Sequence, residues 1–157
     1  MHHFFVRLGF IPIILATIIG TQSKAQEVPN CQQETVFVEL ALGFLAEMEM
    51  APNSAPCPTR VDTEDLQSLF WASDSGHRNP DTVAAFFIPG SGEVLIDQKL
   101  DLGNAVDLSF LVHEYVHVHQ TENGPLEEVD CLGLIEAEAY ALQAAFLRTH
   151  GFPREAL

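Results

Sequence analysis

One apolar stretch in the second half of the chain constrains its fold more than any other feature. Residues 110–118 read Phe-Leu-Val-His-Glu-Tyr-Val-His-Val, so two histidines and a glutamate stand among side chains that usually lie inside proteins. On an α-helix, residues four apart share one face, which places His113 and His117 on the same side, one turn apart. Because ionisable groups are costly to bury without partners, the stretch predicts a buried helix whose histidines bind something.

The two histidines and the glutamate between them have the spacing H-E-x-x-H, which is typical of zinc sites. Two neutral imidazoles on one face can bind one Zn²⁺, and Glu114, offset around the helix, lies where a general base for a zinc-bound water is needed. A catalytic zinc usually has a third protein ligand. Glu136 follows His117 after eighteen intervening residues and is the candidate, on a second helix, with Glu138 as its rival. The alternative is a surface helix with two histidines that bind nothing.

This pattern resembles that of the gluzincins, a class of zinc metallopeptidases in which one helix carries H-E-x-x-H and a later helix supplies a glutamate. A narrower resemblance, over about residues 83–150, is to a family of short secreted bacterial proteins that is classed as a domain of unknown function and regarded as metallopeptidase-like. The residues that carry it are Leu111-Val112-His113-Glu114, Val116-His117, Gln120, Cys131, Glu136, Ala139-Tyr140 and Gln143. The resemblance favours Glu136 over Glu138 and implies one zinc per chain, held by His113, His117 and Glu136.

The resemblance also implies a fold and a reaction. The fold would be a small, mainly helical α+β domain with a β-hairpin beside the H-E-x-x-H helix and an antiparallel helix for Glu136. The reaction would be hydrolysis of peptide bonds by a zinc-activated water with Glu114 as general base, and an edge strand would pair with the extended peptide. Many gluzincins carry an aspartate four residues after the ligand glutamate, where this chain has Tyr140. Tyr140 and Gln120 are candidates for residues that support the ligands.

Two other functions are compatible with the same residues. The site could be non-catalytic, in a secreted zinc-binding or interaction module that contacts another protein of the cell envelope. It could also hydrolyse a non-peptide amide, such as a cell-wall bond. Glu114 favours the peptidase, because a structural zinc has no need of a carboxylate beside its first histidine.

The N-terminal residues 1–25 predict a signal peptide. Arg7 precedes an apolar core, Leu8 to Ile19, that is too short to span a bilayer comfortably, and Ser23-Lys24-Ala25 supplies the small residues of a cleavage site. Cleavage would leave residues 26–157 as a single exported domain, periplasmic or extracellular in a bacterium, without a stable membrane span. The alternative is an uncleaved anchor.

The chain is strongly acidic, with a formal net charge of −15 at pH 7. Cleavage would remove Arg7 and Lys24 and no acidic residue, so the exported domain would carry −17. Because this charge repels a polyanion, it argues against nucleic acid as a partner. A peptide or protein substrate is the expected partner.

The three cysteines predict one disulfide and one remaining thiol in an oxidising compartment. The preferred pair is Cys57 with Cys131, which would tie the segment before the sheet to the start of the ligand helix. Pairing of Cys31 with either of the other two stays open, because sequence alone does not establish connectivity. Zinc ligation by thiolates is the competitor, but no C-x-x-C spacing is present.

Hydrophobic periodicity and turn residues predict the remaining elements. They are a helix over 33–49, a strand over 59–61, a helix from Asp62 or Thr63 to about 71, a hairpin with strands over 82–88 and 93–97, the H-E-x-x-H helix from Asp107 to about 120, and a last helix from Leu126 or Leu132 to 149. The predicted buried stripe of the first helix is Val36, Phe37, Leu40, Ala41, Phe44, Leu45 and Met48.

Several polar residues are predicted to lie outside the metal site. His119 lies on another face of its helix, and His77 lies in a polar loop. An acidic, solvated loop is predicted from Glu122, Glu127, Glu128 and Asp130. Tyr140 could hydrogen-bond a ligand or an oxyanion, but a packed core tyrosine is the favoured interpretation.

Overall fold

The structure, a computed structural model, describes residues 31–73, 83–124 and 132–156. A 3-10 turn over Gln32–Glu34 precedes four helices and three strands: α1 (Thr35–Glu47), β1 (Thr59–Val61), α2 (Thr63–Ser73), β2 (Ala85–Ile88), β3 (Glu93–Asp97), α3 (Ala105–Asn123) and α4 (Leu132–Thr149). The predicted α+β class is confirmed. The predicted signal peptide, His77, Cys131 and the acidic residues 127, 128 and 130 lie outside the described residues.

Helix α3 carries the H-E-x-x-H residues and begins slightly earlier than predicted. Asn104 caps the helix, and its side-chain oxygen accepts from the Val106 amide at 2.8 Å. Asp107 lies in the first turn, where a carboxylate suits the helix dipole, and accepts from the Asp101 amide at 2.8 Å. The prediction had taken this first-turn acid as the start of the helix, which the Asn104 cap instead defines.

The sheet has the strand order β1-β3-β2, with β3 parallel to β1 and antiparallel to β2, which confirms the predicted hairpin. Phe87, Val94 and Ile96 belong to the main core with α1 and α3. Leu95 points to the other face of the sheet, where it packs with Leu66 of α2. Strand β3 is therefore covered on both faces, which fits its uninterrupted apolar run.

Strand β2 forms one edge of this sheet, and its hydrogen bonds to β3 determine which of its peptide groups point outward. The Asp97 amide donates to the Ala84 carbonyl at 2.9 Å, so these residues form a hydrogen-bonded pair of the antiparallel ladder. Because such pairs alternate along the strands, the peptide groups of Ala85 and Phe87 point away from β3. The Phe87 amide accordingly donates to Glu114 of α3 at 2.8 Å. The edge of β2 that faces away from β3 thus runs beside the H-E-x-x-H helix.

Helix α3 lies in the centre of the fold and packs against α1, β2 and α4. Four of its apolar side chains are almost fully buried: Leu111, Val112, Tyr115 and Val116. Helix α4 runs antiparallel to α3, and its Phe146 packs edge to face on Phe44 of α1 with ring centroids 5.2 Å apart. Phe146 thus joins α4 to α1, while the extensive contact between α3 and α4 holds the two helices with the predicted ligands side by side.

The buried face of α1 agrees with the predicted one at Ala41, Phe44 and Leu45 but is rotated from it elsewhere. Val36, Leu40 and Met48 are exposed, whereas Val38 and Leu42 are buried. Apolar residues lie almost all round this helix, so periodicity alone is compatible with more than one buried face. The packing of α1 against α3 selects the face.

The disulfide joins Cys31 to Cys57, with Cα atoms 5.3 Å apart, so the predicted pairing of Cys57 with Cys131 is wrong. The loop after α1 runs back along that helix and brings Cys57 to the helix start. Glu34 and Arg60, each three residues further along the chain than one of the cysteines, form an ion pair at 2.7 Å in the same place. The two cysteines are neighbours because of this returning loop, which their spacing in the sequence does not reveal.

Glu122 does not lie in an acidic loop, as predicted, but in the last turns of α3. Its carboxylate accepts from the Ser54 amide at 2.9 Å and from the Asn53 amide and side chain. Glu122 therefore fixes the loop between α1 and β1 against α3.

Candidate metal site

Three predicted ligands meet between α3 and α4. The Nε2 atoms of His113 and His117 are 3.1 Å apart. Glu136 reaches across from α4, with Oε2 3.4 Å from Nε2 of His113 and Oε1 3.4 Å from Nε2 of His117. One ligand atom from each residue lies within 4.8 Å of the others, so the cluster could hold a metal ion.

The hydrogen bonds around His117 define its tautomer. Its Nδ1 is 2.8 Å from Oε1 of Gln120. The amide nitrogen of Gln120 donates to the Ile135 carbonyl at 3.1 Å and to Oε2 of Glu138 at 2.9 Å. Both of these groups can only accept, so the Gln120 oxygen must be the atom that faces the ring. The proton of neutral His117 therefore lies on Nδ1, and its Nε2 presents a lone pair to the cluster.

His113 has an equivalent arrangement with a different residue. Its Nδ1 is 3.2 Å from Oε1 of Gln143, whose nitrogen is 3.0 Å from the Ser109 hydroxyl oxygen. The Ser109 hydroxyl donates to the Val106 carbonyl at 2.6 Å, so its oxygen is free to accept from Gln143. The proton of neutral His113 also lies on Nδ1, and its Nε2 also faces the cluster.

These tautomers bring four acceptor atoms together. Two imidazole lone pairs and two carboxylate oxygens point into one space, and neutral rings leave no hydrogen among them. Such an arrangement is repulsive unless a metal ion, or a proton on the Nε2 of one ring, lies between these atoms. Nitrogen and oxygen ligands in this number fit a divalent metal with at least one open position.

Glu114 is buried, with 7% of its surface exposed, and its Oε2 accepts from the Phe87 amide at 2.8 Å. Burial raises the pKa of its carboxyl group, although His113, His117 and the Phe87 amide act in the opposite direction. A buried carboxylate with a raised pKa is suited to accept and release a proton.

The other ionisable groups of the cluster are shifted by one another. When the rings of His113 and His117 are protonated, hydrogen bonds from their Nε2 atoms hold the pKa of Glu136 well below its usual range. Burial alone would lower the pKa of His117, but the hydrogen bond to Glu136 and the charges of Glu114 and Glu136 raise it. The cluster therefore favours a negative Glu136 facing positive charge, as a metal would supply.

Comparison of the chain with protein-family models, with curated protein sequences and with solved structures finds no match. Within the three described ranges of the chain, no helix is long and apolar enough to cross a membrane. Any statement about function therefore rests on the residues and geometry of the site itself.

Tyr140 is not the packed core residue that the sequence favoured. Its side chain is 62% exposed, and its ring lies edge to face on the His113 ring, with centroids 4.6 Å apart. Partial burial and the charges of Glu136 and Glu114 raise the pKa of its hydroxyl. Tyr140 therefore lies at the open side of the cluster.

The other residues considered from the sequence, Glu138, His119 and Gln120, lie around the cluster and are not part of it. Glu138, the rival ligand, is exposed and accepts from Gln120, outside the cluster. His119, which was left out of the ligand set, is 3.1 Å from the Ala51 carbonyl through its Nδ1. Gln120, a candidate supporting residue, contacts His117 directly.

Sequence reasoning assigned no role to three contributors to the site, although Gln143 was among the residues that carry the resemblance. Ser109 and Gln143 orient His113, and the Phe87 amide binds Glu114. A signal existed for the first two, because Ser109 lies one turn before His113 and Gln143 lies two turns after Glu136, on the same helix faces. The hydrogen bond from Phe87 to Glu114 could not be predicted from the side chains, because its donor is a backbone amide.

Proposed function

We propose that this protein is an exported zinc metallopeptidase that hydrolyses peptide bonds. One observation carries the proposal. Glu114 is a buried carboxylate with a raised pKa, and it directly follows a histidine of a cluster that could hold a metal. A structural metal site has no need of such a carboxylate, whereas a hydrolase needs a general base in this position.

The donor set of the cluster suits zinc. His113, His117 and Glu136 would hold the ion in the two-histidine, one-glutamate arrangement of catalytic zinc sites, with a position left for water. When bound, zinc would lower the pKa of that water to about 7 and polarise the carbonyl of the substrate.

Glu114 would move the proton during the reaction. Its carboxylate takes a proton from the attacking water and passes it to the nitrogen of the leaving amine as the peptide bond breaks. The Phe87 amide, 2.8 Å from Oε2, holds one oxygen of the carboxylate. The second oxygen is then left to accept the proton, so Phe87 orients the base without taking part in the transfer.

The edge of β2 that faces away from β3 supports an extended peptide as the substrate. The N–H and C=O of Ala85 and the C=O of Phe87 point away from β3 beside Glu114, whereas the outward N–H of Phe87 already donates to Glu114. A substrate strand could pair with this edge and bring its scissile bond to the base. We expect Ala85→Pro to lower kcat/KM for peptides without changing zinc content, because proline removes an outward amide and no hydrogen bond to β3. Ala85→Val keeps the amide and is the matched control; equal loss in both variants would contradict strand pairing.

Metal content tests the proposed site. Elemental analysis of the purified protein should find about one zinc per chain in the parent and in Glu138→Ala, and little in Glu136→Ala. Peptide hydrolysis by the parent and its loss in Glu136→Ala would then support the enzyme. Zinc that does not depend on Glu136 would overturn the ligand set. Bound zinc without hydrolysis of any peptide in a broad library would favour the non-catalytic envelope module.

Export is part of the proposal. The Cys31–Cys57 disulfide suits an oxidising compartment, in agreement with the signal peptide that residues 1–25 predict. Cell fractionation of a bacterial host should find the processed protein in the periplasm or medium, with residue 26 at its N-terminus. Full-length protein in the cytoplasm with free thiols would contradict export.

A further inference from the structure

The ligand histidines are each held by a glutamine, and the two glutamines have different surroundings. We propose that Gln143 and Gln120 are positioning residues of the metal site with unequal tolerance: the position of Gln143 accepts a carboxylate, whereas the position of Gln120 requires an amide. This inference rests on the proposed zinc site and concerns how the chain orients and tunes its two imidazoles.

The partner of a metal-bound imidazole affects both its orientation and its strength as a ligand. A carboxylate, carbonyl or water that accepts the second ring N–H fixes the tautomer, and a carboxylate also raises the basicity of the ring. Gln143 and Gln120 fix the tautomers of His113 and His117 as carbonyl acceptors, without adding charge. Neutral partners leave more positive charge on the metal, which favours activation of water over tightness of binding.

The surroundings of Gln143 can adapt to a negative charge. Its amide nitrogen donates only to the Ser109 hydroxyl among the bonds described, at 3.0 Å, and that hydroxyl now donates to the Val106 carbonyl. A hydroxyl can rotate and donate in another direction. In Gln143→Glu, Ser109 would donate to the new carboxylate, and the second oxygen would still accept from His113.

The surroundings of Gln120 cannot adapt in this way. Its amide nitrogen donates to the Ile135 carbonyl and to the Glu138 carboxylate, and neither group has a proton to return. In Gln120→Glu, three acceptors would face one another, and two of them would be negative. The double variant Gln120→Glu/Glu138→Gln restores a donor and removes one charge, so it should recover the arrangement.

Zinc affinity, measured by competition with a chelating indicator, tests the inference. We expect Gln143→Leu to bind zinc about 10- to 100-fold more weakly than the parent, and Gln143→Glu to bind about tenfold more tightly. Gln120→Glu should bind more weakly, and Gln120→Glu/Glu138→Gln should recover at least the affinity of the parent, because His117 again has an ordered acceptor, now a carboxylate. Gln33→Glu, an exposed residue before α1, introduces the same charge away from the site and should leave affinity unchanged.

A second readout uses the metal-free protein, where the ring nitrogens of His113 are assigned by ¹⁵N NMR. We expect the proton on Nδ1 in the parent and in Gln143→Glu, and a mixture of tautomers in Gln143→Leu. The opposite tautomer in the parent would overturn the inference, as would zinc affinities that do not respond to Gln143. If Gln120→Glu increased zinc affinity as much as Gln143→Glu does, the proposed difference between the two glutamine positions would be overturned. A parent that binds no zinc would instead overturn the proposed function, and the inference with it.

Discussion

Replacing Glu114 with glutamine separates a catalytic role of this residue from a structural one. The change keeps the size of the side chain and an oxygen that can accept from the Phe87 amide, 2.8 Å away in the parent. It removes a buried negative charge and the ability to take a proton. We expect the variant to bind zinc, to lose activity, and to be more stable than the parent when both are free of metal.

The expected gain in stability follows from the burial of Glu114. Transfer of a carboxylate from water to such a site costs several kcal/mol even after relaxation. A hydrogen bond to a charged acceptor returns about 1.5–3 kcal/mol, against about 0.5–1.5 kcal/mol for a neutral one. The glutamine therefore loses about 1 kcal/mol at the Phe87 amide but avoids the larger burial cost, so we expect a net gain of about 1–3 kcal/mol. In a chain of this size, each kcal/mol raises the melting temperature by roughly 3–5 °C.

The pH dependence of stability predicts the same sign for the effect of Glu114→Gln on stability. Because the pKa of Glu114 is raised in the fold, the folded protein binds this proton more tightly than the unfolded chain. The stability of the parent therefore falls as pH rises from the unfolded carboxyl value of about 4.3 through the folded pKa. The advantage of Glu114→Gln should be absent below about pH 4 and should grow as pH rises from there through the folded pKa.

Urea unfolding of the metal-free proteins measures the stability difference, and peptide hydrolysis by the zinc-loaded proteins measures the rate. Removal of a general base should lower kcat by about 10²- to 10⁴-fold. Glu39→Gln, at an exposed position of α1, controls for the loss of one negative charge. A metal-free Glu114→Gln protein no more stable than the parent would refute the burial argument. Undiminished hydrolysis would refute the role of Glu114 as the base.

Three further changes test the fold and the open side of the site. Cys57→Ser removes a crosslink between residues 26 apart, and in the chain-entropy treatment it should cost about 3.5 kcal/mol in urea unfolding; an unchanged midpoint would contradict the pairing. Phe146→Ala creates a cavity at a position that is 1% exposed and should lower the free energy of unfolding by about 3–5 kcal/mol. Val36→Ala, at an exposed position of α1, should lower it by less than about 0.5 kcal/mol. Tyr140→Phe keeps the ring beside His113 and should retain zinc, but if the hydroxyl stabilises the oxyanion it should lower kcat by about 10²-fold with little change in KM; an unchanged kcat would remove that role.

The convergence of the ligands could be predicted because it depends on local geometry. His113 and His117 share a face of α3 by helical periodicity alone, and the interval before Glu136 suits a turn and an antiparallel helix. The structure brings all three together, and it keeps Glu138 outside the cluster. Local periodicity could not predict which residue contacts the Nδ1 of each ring. The contact of Gln143 with His113, and the bond that orients Gln120 through Ile135, depend on the relative positions of α3 and α4 along their axes.

The errors share a physical cause. Val36 and Leu40 were assigned to the core because they are apolar at helical spacing, yet α1 is apolar on more than one side, and the face that packs leaves these two residues exposed. The pairing of Cys57 with Cys31 follows from a loop that doubles back along α1. Both the buried face of α1 and the cysteine pairing depend on tertiary packing, which the sequence of a single segment does not reveal.

Tyr140 lies four residues after Glu136, at the position where the expected gluzincin pattern would have an aspartate. Tyr140 touches the ring of His113 but does not supply the partner of its Nδ1, which is Gln143, three residues further along α4. The ring of His113 is therefore supported by a neutral amide and not by the residue four positions after Glu136. Among the three candidate ligands and the two glutamines that contact the rings, Glu136 is the one negatively charged residue, so a weakly held and strongly polarising ion is expected if zinc binds.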